Sequence, residues 1–233
     1  MGIVKSFRFL LNFAWINLGA ILGFALIVIG GCYATGIPDN PSRSNLFETY
    51  YAMFPTMILL CLFLYAFALC TNNLNLGLSM GARRGDFFWA VQGIMVFYTV
   101  VCWALYWFMS AFPAIANWEV RNRFTLLSTY SGKPWTYPLL CIIILVLGCL
   151  GGLLMARHKI LATIVIIIAV FILMGATVFM LLSTDTDMMY FVSGTRWEWL
   201  FTTLPRILAG VLAVAAVGGE FLIWHTIQCY VVR

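Results

Sequence analysis

The side chains able to do chemistry are few and scattered. The 233 residues include two histidines, seven cysteines and eight acidic residues, and their spacing fits no catalytic pattern. There is no His-Glu-x-x-His pair to hold zinc, no pair of aspartates inside an apolar run, and no Gly-x-Ser-x-Gly elbow to expose a nucleophile. Gly132-Lys133-Pro134 lacks both the upstream glycine and the following Ser or Thr of a phosphate-binding loop, so this chain is not expected to hold ATP by itself. His158 and His225 flank apolar runs and are poorly placed for a metal site deep between them. Cys32, Cys61, Cys70, Cys102, Cys141, Cys149 and Cys229 are odd in number and form no Cys-x-x-Cys pair. Most sit within apolar runs, the pattern of buried thiols packing as small hydrophobes. The expectation is a chain with no catalytic, metal or cofactor residue of its own.

The elements that carry these residues are dictated by solvent. A chain that is 64% hydrophobic and 9% charged, with mean hydropathy +1.00, does not fold as a water-soluble globule. In lipid every backbone polar group needs an internal partner, so spanning elements are helices or closed barrels. The apolar runs are continuous and about twenty residues long rather than short and alternating, which selects helices. The fold class expected is an all-α integral membrane protein. It is a single domain over 1–233 with six spans near 12–31, 49–70, 87–111, 135–155, 160–182 and 205–224.

Pro38, Asp39, Asn40, Pro41 and Arg43 mark the first loop, and a longer hydrophilic loop runs from Pro113 to Pro134. Only Ala156, Arg157, His158 and Lys159 separate the fourth and fifth spans, which predicts an antiparallel hairpin. Between Ser183 and Leu204, Asp185, Asp187, Arg196 and Glu198 alternate with Met and aromatic residues, an amphipathic segment suited to the interface. Ile29-Gly30-Gly31-Cys32 has the outline of a lipoprotein cleavage box. Glycine is atypical at its second position, and the first run is read as a retained helix.

Six spans put both termini on one side. Lys5, Arg8, Arg83, Arg84, Arg157, Lys159 and Arg233 then share that side, in short segments. Arg43, Arg121, Arg123, Lys133, Arg196 and Arg206 fall opposite, in longer loops. The density of positive charge favours a cytosolic N-terminus. Trp89 and Trp224 at inner ends, with Trp107, Trp135, Trp197 and Trp199 at outer ones, fit aromatic belts at the two interfaces. The net charge of +5 is spread over helix ends without an aromatic-basic stripe, so no nucleic-acid partner is implied.

Three features remain. Small residues four apart occur at Gly19 and Gly23, Gly148 and Gly152, and Ala215 and Gly219, each allowing close helix approach, within the bundle or at a subunit interface. Glu220 is the one acidic residue inside an expected span, where a carboxylate faces the bundle interior or water, or reaches the inner interface. The inner segment Thr71 to Asp86 is longer than a crossing needs. Asn72 or Asn73 can cap a short helix, Leu74 and Leu78 would share one of its faces, Gly81 or Gly85 can stop it, and Asp86 would cap the next span. A basic turn at Arg83 and Arg84 on such an element suggests docking.

Ser79-Met80-Gly81-Ala82-Arg83-Arg84-Gly85-Asp86-Phe87-Phe88 resembles the segment between the second and third helices of small bacterial permeases of the ABC type-2 exporter family. The six-span layout, the tight fourth-fifth turn and the amphipathic segment before the last span extend the resemblance over essentially the whole chain. It implies a bacterial cell-membrane protein in which two six-helix permeases, of the same or different chains, pair within membrane lipid. Each would rest a coupling helix, here about Asn73 to Arg84, on a separate ATP-binding subunit that carries the ATP and Mg. Ser79, Gly81, Arg83, Arg84 and Asp86 would form that contact. This chain would gate a path by rocking between two states, with Trp103, Tyr106 and Glu220 as candidates along it. The stretch Val4 to Leu11 is short for the amphipathic N-terminal helix of that family. Two other classes remain open: a membrane-embedded binding component of an uptake system, and a scaffold without transport. The substrate is not legible.

Overall fold

The computed structural model describes residues 2–34, 46–115, 136–168, 170–171 and 198–229. Among them all regular structure is helical: α1 (Ile3–Ala34), α2 (Leu46–Ala68), a π-helical segment (Leu69–Asn73), α3 (Leu74–Ser79), α4 (Arg84–Ile115), α5 (Thr136–Arg157), α6 (Lys159–Ile168) and α7 (Glu198–Gln228). Four stretches are long and apolar enough to cross a membrane: Ile3–Ala34, Met53–Ser79, Arg84–Ile115 and Tyr137–Met155. They correspond to the first four expected spans. The fifth begins as α6, but 172–182 lie outside the described residues, as do the loops at 35–45 and 116–135 and most of the amphipathic segment, 183–197. The sixth expected span, 205–224, falls inside α7.

Several boundaries differ from those expected. Helix α1 starts at Ile3 rather than near Asn12, because Lys5 and Arg8 are good helix formers and an exposed turn can extend beyond the hydrocarbon. Helix α4 runs through Pro113, where a loop was expected to begin. Proline cannot donate to the carbonyl four residues before it, here Met109. The Tyr51 hydroxyl of α2 donates to that carbonyl instead.

Side-chain pairings fix the direction of each helix. Tyr65 meets Leu10, Asn17 meets Cys61 and Phe24 stacks on Phe54, so α1 and α2 are antiparallel. Tyr98 donates to the Ala14 carbonyl at 2.8 Å and Phe7 lies against Gly93, so α1 and α4 run the same way. Tyr137 donates to the Pro55 carbonyl at 3.2 Å, and Gly152 faces Phe67 and Cys70. Helices α2 and α5 are therefore parallel. Ile166 packs beside Gly151, which makes α5 and α6 the expected antiparallel hairpin, turning at His158. The start of α1, the α3–α4 turn, the α5–α6 turn and the end of α7 all gather at one end of the bundle.

Among the described residues, glycines of α5 meet the backbone of a neighbouring helix at the α2–α5 crossing. A methyl group on Gly148 would lie 2.7 Å from Ala66 Cβ and 2.8 Å from the Phe63 carbonyl oxygen. On Gly152 it would lie 2.6 Å from the Phe67 carbonyl oxygen. Glycine lets the two backbones approach, the device by which helices associate in lipid without a hydrophobic drive. Gly219 of α7 instead makes room for the Val146 and Leu150 side chains of α5. Gly19 and Gly23 do not share this role within the chain, since among the described residues nothing lies within 4 Å of a methyl on either. Helix α1 buries one narrow stripe, Ser6, Leu10, Ala14, Leu18, Ile21, Ala25, Val28 and Cys32, repeating every three or four residues. Its most apolar window is 28% buried, against 56% for the windows of Met53–Ser79 and α5, so α1 lies at the edge of the bundle.

Candidate functional site

The expected docking segment is built as follows. Helix α2 does not stop before it. Leu69–Asn73 widens into a π-turn and passes straight into α3, with Thr71 Oγ1 donating back to the Phe67 carbonyl at 3.0 Å. Asn73 is itself helical and its side chain makes no cap, so the capped start expected at Asn72 or Asn73 is replaced by a continuation of the preceding helix. Such π-turns are uncommon and recur at functional positions.

The end of α3 follows the expectation for Gly81. Gly81 has φ of 82°, the left-handed region that favours glycine, and the Gly81 and Ala82 amides donate to the Leu78 and Gly77 carbonyls at 3.0 and 3.1 Å. This pair of bonds is a Schellman closure. Ser79 Oγ donates to the Leu76 carbonyl at 2.8 Å. The Phe87 ring of α4 seats on Gly77, where an added methyl would lie 2.6 Å from Phe87 Cε2, so α3 folds back against the start of α4. Phe87 is fully buried there.

Helix α4 starts two residues before the expected cap at Asp86. The Phe87 amide donates to the Arg83 carbonyl at 2.9 Å, which makes Arg83 the cap position and places Asp86 in the first turn, where its charge favours the helix dipole. Arg83 is exposed. Leu76 on α3 and Met80 at its C-cap, one turn apart, are 46% and 57% exposed. Together they give the turn an apolar outer face with a cation beside it.

Arg84 makes a contact within the chain. Its Nη1 donates to the Gln228 carbonyl in the last turn of α7 at 2.8 Å, a cation closing a helix C-terminus. One turn along α4, Phe88 packs edge-to-face on Trp224 with ring centroids 4.7 Å apart. A further turn along, Gln92 Nε2 donates to Glu220 Oε2 at 2.5 Å. Residues 84, 88 and 92 thus oppose 228, 224 and 220, three consecutive rungs in one antiparallel register.

Glu220 is half-buried, and Gln92 is the partner that a carboxylate at this depth needs. Replacing Gln92 by leucine is expected to destabilise the protein by about 1–3 kcal/mol, the cost of leaving the carboxylate without its donor. Adding Glu220→Leu should recover most of that loss, as thermal unfolding of the two single variants and the double variant would read. Purely additive losses would refute the pairing.

Trp103 and Tyr106 are not brought to Glu220. They lie roughly 16 Å or more further along α4 from Gln92 by helical rise. Tyr106 is buried and stacks on Tyr137 of α5 at 4.5 Å, and Trp103 is half-buried. Gln92, Gln228 and Gly77 escaped the sequence reading, and Trp224 entered it only as an aromatic-belt residue. The available signal was the equal spacing of Arg84 to Gln92 and of Glu220 to Gln228, which is legible only once the two helices are known to be antiparallel neighbours. His158 and His225 are both exposed. Among the described residues no three His, Cys, Asp or Glu side chains converge as metal ligands would, and no two cysteines are joined in a disulfide. No family model matches the sequence, and comparisons with curated proteins and with solved structures return no match.

Proposed function

We propose that this chain is the transmembrane permease subunit of an ATP-driven exporter of the ABC type-2 kind. It spans a bacterial cell membrane six times with both termini in the cytosol, and pairs with a second permease, identical or different, to enclose the path. The energy comes from a separate ATP-binding subunit carrying ATP and Mg, which docks on the α3–α4 turn. Closure of that subunit on nucleotide would bias the permease between inward-facing and outward-facing states, and a ligand shifts such an equilibrium only by its differential affinity for them.

The observation that carries the reading is the turn itself. It is a short helix closed by Gly81, held from behind by Phe87 on Gly77, and presenting Leu76, Met80 and Arg83 outward at the end of the bundle where α1 starts and α7 ends. An exposed apolar pair on a braced turn suits a protein partner better than water.

The test is co-purification in mild detergent. Arg83→Glu, alone and with Met80→Glu, is expected to release an ATPase subunit that the unaltered chain retains, at unchanged yield of folded permease. Arg84 is left intact because its guanidinium holds α7. If no ATPase accompanies the unaltered chain in any preparation, the transporter reading falls and the scaffold or binding-component readings replace it.

A further inference from the structure

The three rungs between α4 and α7 join the docking turn to Glu220, the one acidic residue inside an expected span, and nothing in the docking reading requires that they should. Arg84 belongs to the turn and reaches the last carbonyls of α7. Phe88 and Trp224 fill the next level, and Gln92 with Glu220 closes the third, roughly 12 Å from the first by helical rise. One turn beyond, Val96 is 64% exposed, so the contact runs out there. Further along, α4 is held by other helices: Tyr98 to α1, Tyr106 against α5, and Met109 by Tyr51 of α2. Among the described residues, α4 therefore grips α7 only over the two turns nearest the docking end.

We propose that a load on the α3–α4 turn, which is continuous with α2 and α4, also reaches the interior of the membrane through α7, with Gln92 and Glu220 as positioning residues at the far end of this zipper. The mechanical link depends on the rungs alone. Its use in transport rests on the docking reading above.

The two are tested separately. Nitroxide labels at Val100→Cys on α4 and Val217→Cys on α7, both more than half exposed, lie beyond the zipper and report the distance between the helices. The background carries Cys61→Ser and Cys229→Ser to silence the less buried thiols, and the full chain is measured in lipid without any partner. Arg84→Ala and Trp224→Ala, each removing one rung, are expected to shift the distance by ~2 Å or to broaden its distribution. Arg83→Ala, on the neighbouring residue outside the zipper, should leave it unchanged. The proposal is overturned if both rung variants keep the parent distribution, or if Arg83→Ala moves it as far as they do. Either result stands whatever co-purification shows about an ATPase.

Discussion

Gly152→Val is expected to remove most of the folded protein from a mild-detergent extract, and Gly152→Ala to lower its unfolding temperature by several degrees. Even the first added carbon meets the Phe67 carbonyl oxygen at 2.6 Å and Cys70 Cβ at 2.9 Å, and a backbone carbonyl inside a helix cannot swing aside as a side-chain tip can. Overpacking of this kind costs about 1–3 kcal/mol for modest insertions and more when backbones must separate. Gly148→Ala should behave similarly, against Ala66 and the Phe63 carbonyl. The control is Gly19→Ala with Gly23→Ala. Both sites are open, so the substitutions should be neutral or raise stability by a few tenths of a kcal/mol through helix propensity. Size-exclusion profiles after graded heating distinguish the two pairs. Equal losses at all four glycines would mean that the α2–α5 crossing is not the tight one.

The second large effect separates two hydroxyls that look alike. Tyr98→Phe removes a bond to the Ala14 carbonyl, which keeps its place in the α1 ladder, and deletions of this type in membrane proteins average ~0.6 kcal/mol. Tyr51→Phe removes the donor that substitutes for the missing N–H of Pro113 at the Met109 carbonyl. With a polar group deprived of its donor in a low-dielectric interior, the expected loss is about 1–3 kcal/mol. Pairing Tyr51→Phe with Pro113→Ala restores a helical donor to Met109 and should return most of the stability. Unfolding midpoints of the four proteins, parent included, decide the matter. A double variant no better than Tyr51→Phe alone would show that the hydroxyl is not serving the proline.

Much of the helical layout was legible because hydropathy reports the stretch each helix must bury in lipid. The second, third and fourth spans, the hairpin at His158 and the stop at Gly81 follow from runs of apolar residues, a four-residue polar break and one glycine. Helix ends were less legible. Lys5, Arg8 and Pro113 mark where the hydrocarbon ends, whereas the backbone ladder continues into the interface wherever nothing interrupts it. The join at Leu69–Asn73 failed for a related reason. Asn72 and Asn73 are cap residues by preference, yet a helix already propagating through Phe67 and Ala68 has no orphan amides for them to satisfy. Which small-residue pair packs inward could not be read at all, since Gly19 with Gly23 and Gly148 with Gly152 have the same spacing and differ only in their neighbours. The Gln92–Glu220 rung is a long-range contact of the same kind.

The parallel pairing of α2 and α5 has a consequence for how the protein is made. Tyr137 and Pro55 are 82 residues apart in the chain. At about 5–20 residues per second, a ribosome needs roughly 4–16 s to supply that interval. During those seconds α2 is already in the bilayer beside α1, with Ala66, Phe67 and Cys70 turned toward a neighbour that has not been synthesised. Lipid tails or a chaperone of the insertion machinery must occupy that groove until Gly148 and Gly152 arrive to displace them. Assembly of this bundle is therefore expected to wait on the late emergence of its fourth hydrophobic stretch, and chains truncated before Gly148 should be degraded faster than the full chain in a pulse-chase measurement.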